Sequence, residues 1–269
     1  MKKIALPALL LILLFSCKHE PLTTGIPVVQ NPVSTIKLKS IEYKIRNGYG
    51  DLNKDYITEY VYENNRIVGI NNFLDRYDKR YTYTDGKVSE RAYFDLNKNR
   101  VVAVDSFIYK PNGQLKEKKH YQTDENGLKI YRRKTKFYFG DNGKIKKSED
   151  YRIPENELTF THEYIWESGN IVRHKCYFED GSSLSNIEEI FEYDQGQNHL
   201  ALCIADIDEP QSKNNFSDME LSDFIGNYDG IFKIENEFEY NDDNLPEKII
   251  CSKRGVFDTF RDTLLIEYQ

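Results

Sequence analysis

Long apolar stretches are almost missing from this chain. After the run Ile4 to Phe15, no segment approaches the roughly 20 apolar residues that a membrane-crossing helix needs. Hydrophobic residues make up 39% of the 269 positions and the mean hydropathy is −0.68, which leaves little side-chain volume for a dense two-layer core. Signatures of common chemistry are also missing: there is no nucleophile elbow, phosphate loop, zincin helix or Cys/His catalytic pattern. The expectation is therefore a non-enzymatic protein without a cofactor. A formal net charge of −7 argues against nucleic acid or an anionic membrane surface as a general partner.

What the chain does have is 20 tyrosines and 15 phenylalanines, and they recur in a pattern. The segments "EYVYENNRIVGINNF", "RYTYTDGKVSERAYF", "SFIYKPNGQLKEKKHY", "KFYFGDNGKIKKSEDY" and "HEYIWESGNIVRHKCYF" share one plan. Each has an aromatic, a second aromatic or near equivalent two residues on, a Gly or Asn turn, an aliphatic past the turn and a closing aromatic. "IFEYDQGQNHLAL" and "NEFEYNDDNLPEKII" are looser copies, and "LLIEYQ" is a half-copy. Aromatics two apart share one face of a strand, and Asp85-Gly86, Asn112-Gly113 and Asn142-Gly143 supply the positive φ of a tight hairpin. Repeating hairpins separated by variable loops predict about 15 strands in an antiparallel meander.

The fold class expected is mainly β: a curled sheet or soluble barrel covering residues 36–269. Second strands such as Leu115 to Tyr121 and Ile145 to Tyr151 are polar on both faces at mid-strand. That predicts a partly single-layered sheet with a hydrated concave side. Residues 205–233 break the pattern. There, Ser217 and Glu220 form a capping box, Phe216 and Leu221 a hydrophobic staple, and Gly226 a stop, predicting a helix near Asp218 to Ile225 that plugs or caps one opening. Charge is uneven: Lys110 to Lys147 holds 12 basic against 4 acidic residues, and Glu188 to Glu247 holds 17 acidic against 2 basic. Both read as solvated strand faces, with a patch for an anionic group, or pairing of the two ends, as the alternative.

At the N-terminus, Lys2 and Lys3 precede the apolar run, and Leu14-Phe15-Ser16-Cys17 resembles a bacterial lipoprotein box. The resemblance implies a signal peptide over residues 1–16, cleavage before Cys17 and a diacylglycerol on its thiol. The new amino group would be acylated too, giving the two or more chains that stable anchoring needs. Residues 17–35 carry Pro21, Pro27 and Pro32 and read as a flexible tether. Lys18 stands where an inner-membrane retention signal would place aspartate, so the outer membrane is expected, on its periplasmic or cell-surface face. The Tyr-x-Tyr…Gly-x-aliphatic units resemble degenerate YD (Rhs-type) repeats. The order of repeats, "YDQGQNH", insertion and "FEYNDDNLPEKI" resembles uncharacterised envelope lipoproteins of the DUF4595 kind, whose fold is described as porin-like.

Candidate sites are few. "DLNK" occurs twice, placing Asp51, Asn53, Asp55 and Asp95, Asn97, Asn99 at the alternate spacing of a calcium loop. The glycine and the twelfth-position glutamate of such a loop are absent, and Asx-stabilised turns account for the same residues. Asp206, Asp208 and Glu209 form a second cluster with the same reading. His174 and Cys176 share a strand face and would need another histidine to ligate a metal, so a partly buried strand pair is the expectation. Cys176, Cys203 and Cys251 read as buried small hydrophobes, with one disulfide as the alternative. The function expected is an anchored module that binds a glycan, peptide or envelope protein. A structural role through strand edges or charge-paired self-association is the alternative, and an envelope hydrolase the third reading.

Overall fold

The computed structural model describes residues 36–45, 54–202, 207–223, 230–254 and 259–269. The chain divides into the units Met1–Gln30 and Asn31–Gln269, and the strands lie in the second. The signal peptide, Cys17, the tether, Asp51, Asn53, Cys203 and Asp206 lie outside the described residues.

Sixteen strands follow one another: β1 (Leu38–Ile45), β2 (Lys54–Glu63), β3 (Arg66–Phe73), β4 (Tyr77–Thr84), β5 (Lys87–Asp95), β6 (Arg100–Tyr109), β7 (Leu115–Thr123) and β8 (Lys129–Phe139). They continue as β9 (Ile145–Arg152), β10 (Glu157–Glu167), β11 (Asn170–Tyr177), β12 (Leu184–Gln197), β13 (Asn214–Asp223), β14 (Gly230–Tyr240), β15 (Pro246–Arg254) and β16 (Thr259–Tyr268). Each pairs antiparallel with its neighbours in sequence, and β1 pairs with β16, so the sheet is a closed barrel. Closure leaves no free strand edge, which removes the edge-pairing route to self-association.

The expected helix is corrected to a strand. Asn214–Asp223 is β13, which fills the place between β12 and β14. The capping-box spacing is local, whereas Met219 and Leu221 alternate with Glu220 and Ser222 in the strand period. A helix here would leave two neighbouring strands without ladder partners, so tertiary pairing overrides the local signal. The 16 strands exceed the expected 15 because β1 and β13 lie outside the repeat units, whereas His199–Leu202, at the end of one unit, is not a strand. Helical structure among the described residues is one turn, His199–Leu202. Ile207, in the β12–β13 connection, packs against the main apolar cluster.

Every well-formed hairpin repeats one irregularity. The register slips just before the second aromatic, at Val61/Tyr62, Thr82/Tyr83, Ile108/Tyr109, Tyr138/Phe139, Ile165/Trp166 and Glu239/Tyr240. Two residues on the second strand then oppose one on the first, a β-bulge. The bulge turns the aliphatic past the turn (Ile67, Val88, Leu115, Ile145, Ile171) inward beside the aromatics. The next alternate residues are turned out, so Leu115 and Glu117 lie on opposite faces. At Asp85-Gly86 both residues have positive φ, whereas at the wider turns containing Gly113 and Gly143 only the glycine does.

The inward aromatics tie successive hairpins together. The Tyr83 hydroxyl donates to the Ile67 carbonyl at 2.7 Å, Tyr109 to Val88 at 2.7 Å, Trp166 Nε1 to Ile145 at 2.8 Å and Tyr268 to Pro246 at 2.8 Å. Tyr193 does the same to Ile171. Cations lie over the same rings: Arg66 over Tyr83, Lys87 over Tyr109, Lys110 over Phe139 and Lys144 over Trp166. The repeat therefore encodes a contact from each hairpin to the one before it.

Ile67, Ile70, Tyr81, Val88, Phe107, Leu115, Phe137 and Ile145 form the main buried cluster. Leu38, Ile41, Ile249 and Ile266 form a second, and Tyr60 packs against both. These residues fill the barrel at the end that carries the repeat turns and the β12–β13 connection. Outside, ion pairs such as Lys147–Glu149, Arg173–Glu189 and Lys248–Glu239 lie along the wall, among single exposed apolar side chains such as Ile57, Val61 and Ile165. Charges at these positions are the opposite of the apolar band that a lipid-facing barrel presents.

Candidate functional site: a polar cup inside the barrel

Four residues before each second aromatic, the inward position is polar: Thr58, Lys79, Asp105, Thr135 and His162. Register places Asp105, Thr135 and His162 beside polar residues on neighbouring strands and builds a belt along the inner wall from β5 to β12, whereas Thr58 and Lys79 stand opposite Ile41 and Ile70. Arg91 stands opposite Asp105, Asp105 opposite His120, His120 opposite Arg133, Thr135 opposite Asp150, and His174 opposite Glu188.

The centre of the belt is a buried ion network. Arg91 donates to Asp105 Oδ2 at 2.8 Å and to Asp208 Oδ2 at 3.0 Å, with its side chain only 3% exposed. Lys118 Nζ reaches Asp208 at 2.7 Å, and His120 Nδ1 lies 2.7 Å from Asp105 Oδ1. Tyr93 also donates to Asp105. Burial would raise the Asp105 carboxyl, but His120, Arg91 and Lys118 outweigh it and hold it far below the usual carboxylate range. The same contest, won by Lys118 and Arg91, lowers Asp208. Asp208 thus anchors the β12–β13 connection inside the barrel.

A second arm of the belt runs through histidines. His162 Nδ1 and His174 Nε2 are 3.1 Å apart, with ring centroids 5.3 Å apart. The rings meet edge to edge. His162 Nε2 lies 3.4 Å from Asp150 and His174 Nδ1 lies 3.0 Å from Glu188. With both outer nitrogens donating to carboxylates, the inner pair needs one shared proton. An ion bridging them head-on would need about 4 Å, twice a usual metal–nitrogen distance. Burial lowers the His162 pKa, yet Asp150 and Cys176 outweigh it and raise it to about 9. The structure thus supplies the other histidine that His174 and Cys176 would need, and the spacing fits a proton. Cys176 and Cys251 are free thiols, Cys176 buried.

Above the network the barrel opens into a cavity of about 530 Å³, lined by Arg76, Arg91, Lys98, Lys118, Arg133 and the carboxylates Asp95, Asp105, Asp150 and Glu209, with Tyr77, Tyr93 and Gln122. Its mouth lies at the β3–β4 and β5–β6 turns, opposite the apolar end. Asp95 joins the mouth as a turn residue: its Oδ1 accepts from the backbone N–H of Asn97 and Lys98, and its Oδ2 from Arg76 at 2.9 Å. That is the Asx-turn geometry, and it engages both oxygens of the one described "DLNK" aspartate that faces inward. Asn99, with φ 52°, completes the same turn, and Asp55 lies apart on β2. Charged residues on the aromatic face of a strand, such as Arg91 two before Tyr93 or Asp105 two before Phe107, were the signal from which the cup could have been read.

No family model matches the chain, and no curated protein does. Among solved structures the chain resembles a porin-like protein from Bacteroides uniformis, with TM-score 0.56 and 7% identity over 86% of this chain and 98% of that one. It also resembles a porin-like protein from Bacteroides vulgatus, with TM-score 0.53 and 9% identity over 87% and 98%. At these identities the likeness is one of fold: the chain shares its barrel architecture with porin-like proteins of Bacteroides.

Proposed function

We propose that the chain is an outer-membrane lipoprotein, anchored by acyl chains on Cys17, whose barrel binds a polar ligand in its cup without chemical turnover. The observation that carries this reading is the cavity itself. It has the size of a small-molecule site, is open at one end, and has walls fixed by a buried ion network. The lipoprotein box and the resemblance to DUF4595-type and YD-repeat proteins support the envelope location, and the charged outer wall supports a tethered barrel over a membrane-spanning one. Glycans, peptides or an envelope protein segment are the partners this cup suits.

A hydrolase needs one carboxyl kept protonated near neutrality. In the cup Asp95, Asp105 and Asp150 are instead held below the usual range by Arg76, by Arg91 with His120, and by His162 with Thr135. Charge-paired self-association keeps one observation in its favour: Lys119, Lys134 and Lys147 lie outside on β7–β9, and Glu235, Glu237 and Glu239 on β14.

The test is the intact mass of membrane-extracted protein in native and Cys17→Ala forms, with protease treatment of whole cells and an oligosaccharide and peptide binding panel. Acyl mass at Cys17 and ligand protection of the cup are the expected results. An unacylated N-terminus, or a cup inert to every probe, overturns the corresponding half.

A further inference from the structure

The charges lining the cup do not balance locally, and the imbalance is confined to the mouth. Deep in the cup Asp105 has Arg91 and His120, Asp208 has Arg91 and Lys118, and Asp150 has His162, while at the mouth Asp95 has Arg76. Two cations of the lining, Lys98 and Arg133, have no side-chain partner among the described residues. Arg133 stands directly opposite Arg152 in the β8–β9 ladder, and opposite His120 in the β7–β8 ladder. Three basic side chains thus share one face on adjacent strands. Like charges directly opposite on a sheet are destabilising, and neither arginine is relieved by an ion pair. Glu157 faces Arg152 across the β9–β10 ladder, but the two form no ion pair. Gln122, also in the lining, offers amide donors beside them.

We propose that the mouth of the cup is an anion-recognition site in which Arg133, Arg152 and Lys98 bind the carboxylate, sulfate or phosphate group of a small ligand. This inference rests on the cup being a ligand site and names the chemistry of its occupant. A planar guanidinium presents paired N–H groups that match two oxygens of one oxyanion. An oxyanion between Arg133 and Arg152 removes their repulsion and gains charge-assisted hydrogen bonds. The body of the ligand then extends into the cup over Tyr77, Tyr93 and Gln122.

The experiment uses the barrel in its native chain with three probes: a galacturonate oligosaccharide, inorganic sulfate and a neutral glucose oligosaccharide. Binding is followed by calorimetry and by the shift in thermal midpoint, in low and moderate salt. The galacturonate probe is expected to bind more tightly than the neutral one and to weaken with salt. Arg133→Gln and Lys98→Gln should each weaken it by about tenfold or more. Without ligand, Arg133→Gln should melt at or above the native temperature, because a repulsion has been removed; a merely structural arginine would lower it. Binding of sulfate alone, with the same sensitivity to both substitutions, would assign the site to a free anion, still on these residues. Binding of the neutral probe unaffected by Arg133→Gln overturns the anion inference and leaves the cup. No binding of any probe at about 10 mM overturns the inference and the cup together.

Discussion

Replacing Arg91 with methionine is expected to be among the most damaging single changes available in this barrel. The guanidinium is 3% exposed and bridges Asp105 and Asp208, whose side chains are 3% and 1% exposed. Removing it strands two buried carboxylates, each left with one basic partner, His120 for Asp105 and Lys118 for Asp208, both at 2.7 Å, with the Tyr93 hydroxyl also still on Asp105. Breaking a buried pair from one side costs about 3–5 kcal/mol. For a domain of this size that corresponds to a fall in Tm of roughly 6–20 °C. Urea denaturation followed by tryptophan and tyrosine fluorescence measures the change in midpoint. Replacing the set together, Arg91→Met with Asp105→Leu and Asp208→Leu, removes the stranded charges and should recover most of the loss. A single variant within about 0.5 kcal/mol of the parent, or a triple variant as unstable as the single, would refute the view that this network is a mutually dependent buried unit.

Three further outcomes are expected. Tyr109→Phe should cost about 1 kcal/mol by leaving the Val88 carbonyl without its donor, and Phe139→Tyr, which adds a hydroxyl at the one such ring in β4–β10 unable to donate, should recover a similar amount; both are read by denaturant midpoint. Because His162 has a folded pKa of about 9 against about 6.5 unfolded, its contribution is full below about pH 6.5 and is lost as pH rises through 9. The loss should be on the order of 3 kcal/mol, seen as a falling Tm between pH 6.5 and 9.5, and His162→Gln should flatten that slope. Gly196→Ala should destabilise by about 1–3 kcal/mol or more, because an added Cβ would meet the ring of Tyr240; an unchanged melting curve would show that the ring moves aside freely.

The sequence carried the strands, since paired aromatics and turn residues state their period openly. It carried the polar mid-strands as well. Facing was harder to read, because a bulge is a matter of partner register and leaves no mark on either strand alone. Counting by twos puts Leu115 and Glu117 on one face, whereas the slip at Ile108/Tyr109 separates them. The same slips bring Arg91, Asp105 and His120 side by side, so the ion network could not be assembled without them. At Ser217 and Glu220 a genuine local signal for a helix was outweighed by two strands needing a partner. Asp208 was visible as part of an acidic cluster, but its reach into the barrel depends on where the β12–β13 connection folds.

The meeting of β1 with β16 has a directional consequence. Lys37 and Gln269 exchange backbone hydrogen bonds, and both lie at the end sealed by aromatic rings. Residue 37 and the last residue of the barrel therefore lie at its closed base, and the open rim is at the other end. A solute entering by the rim meets neither terminus of the barrel.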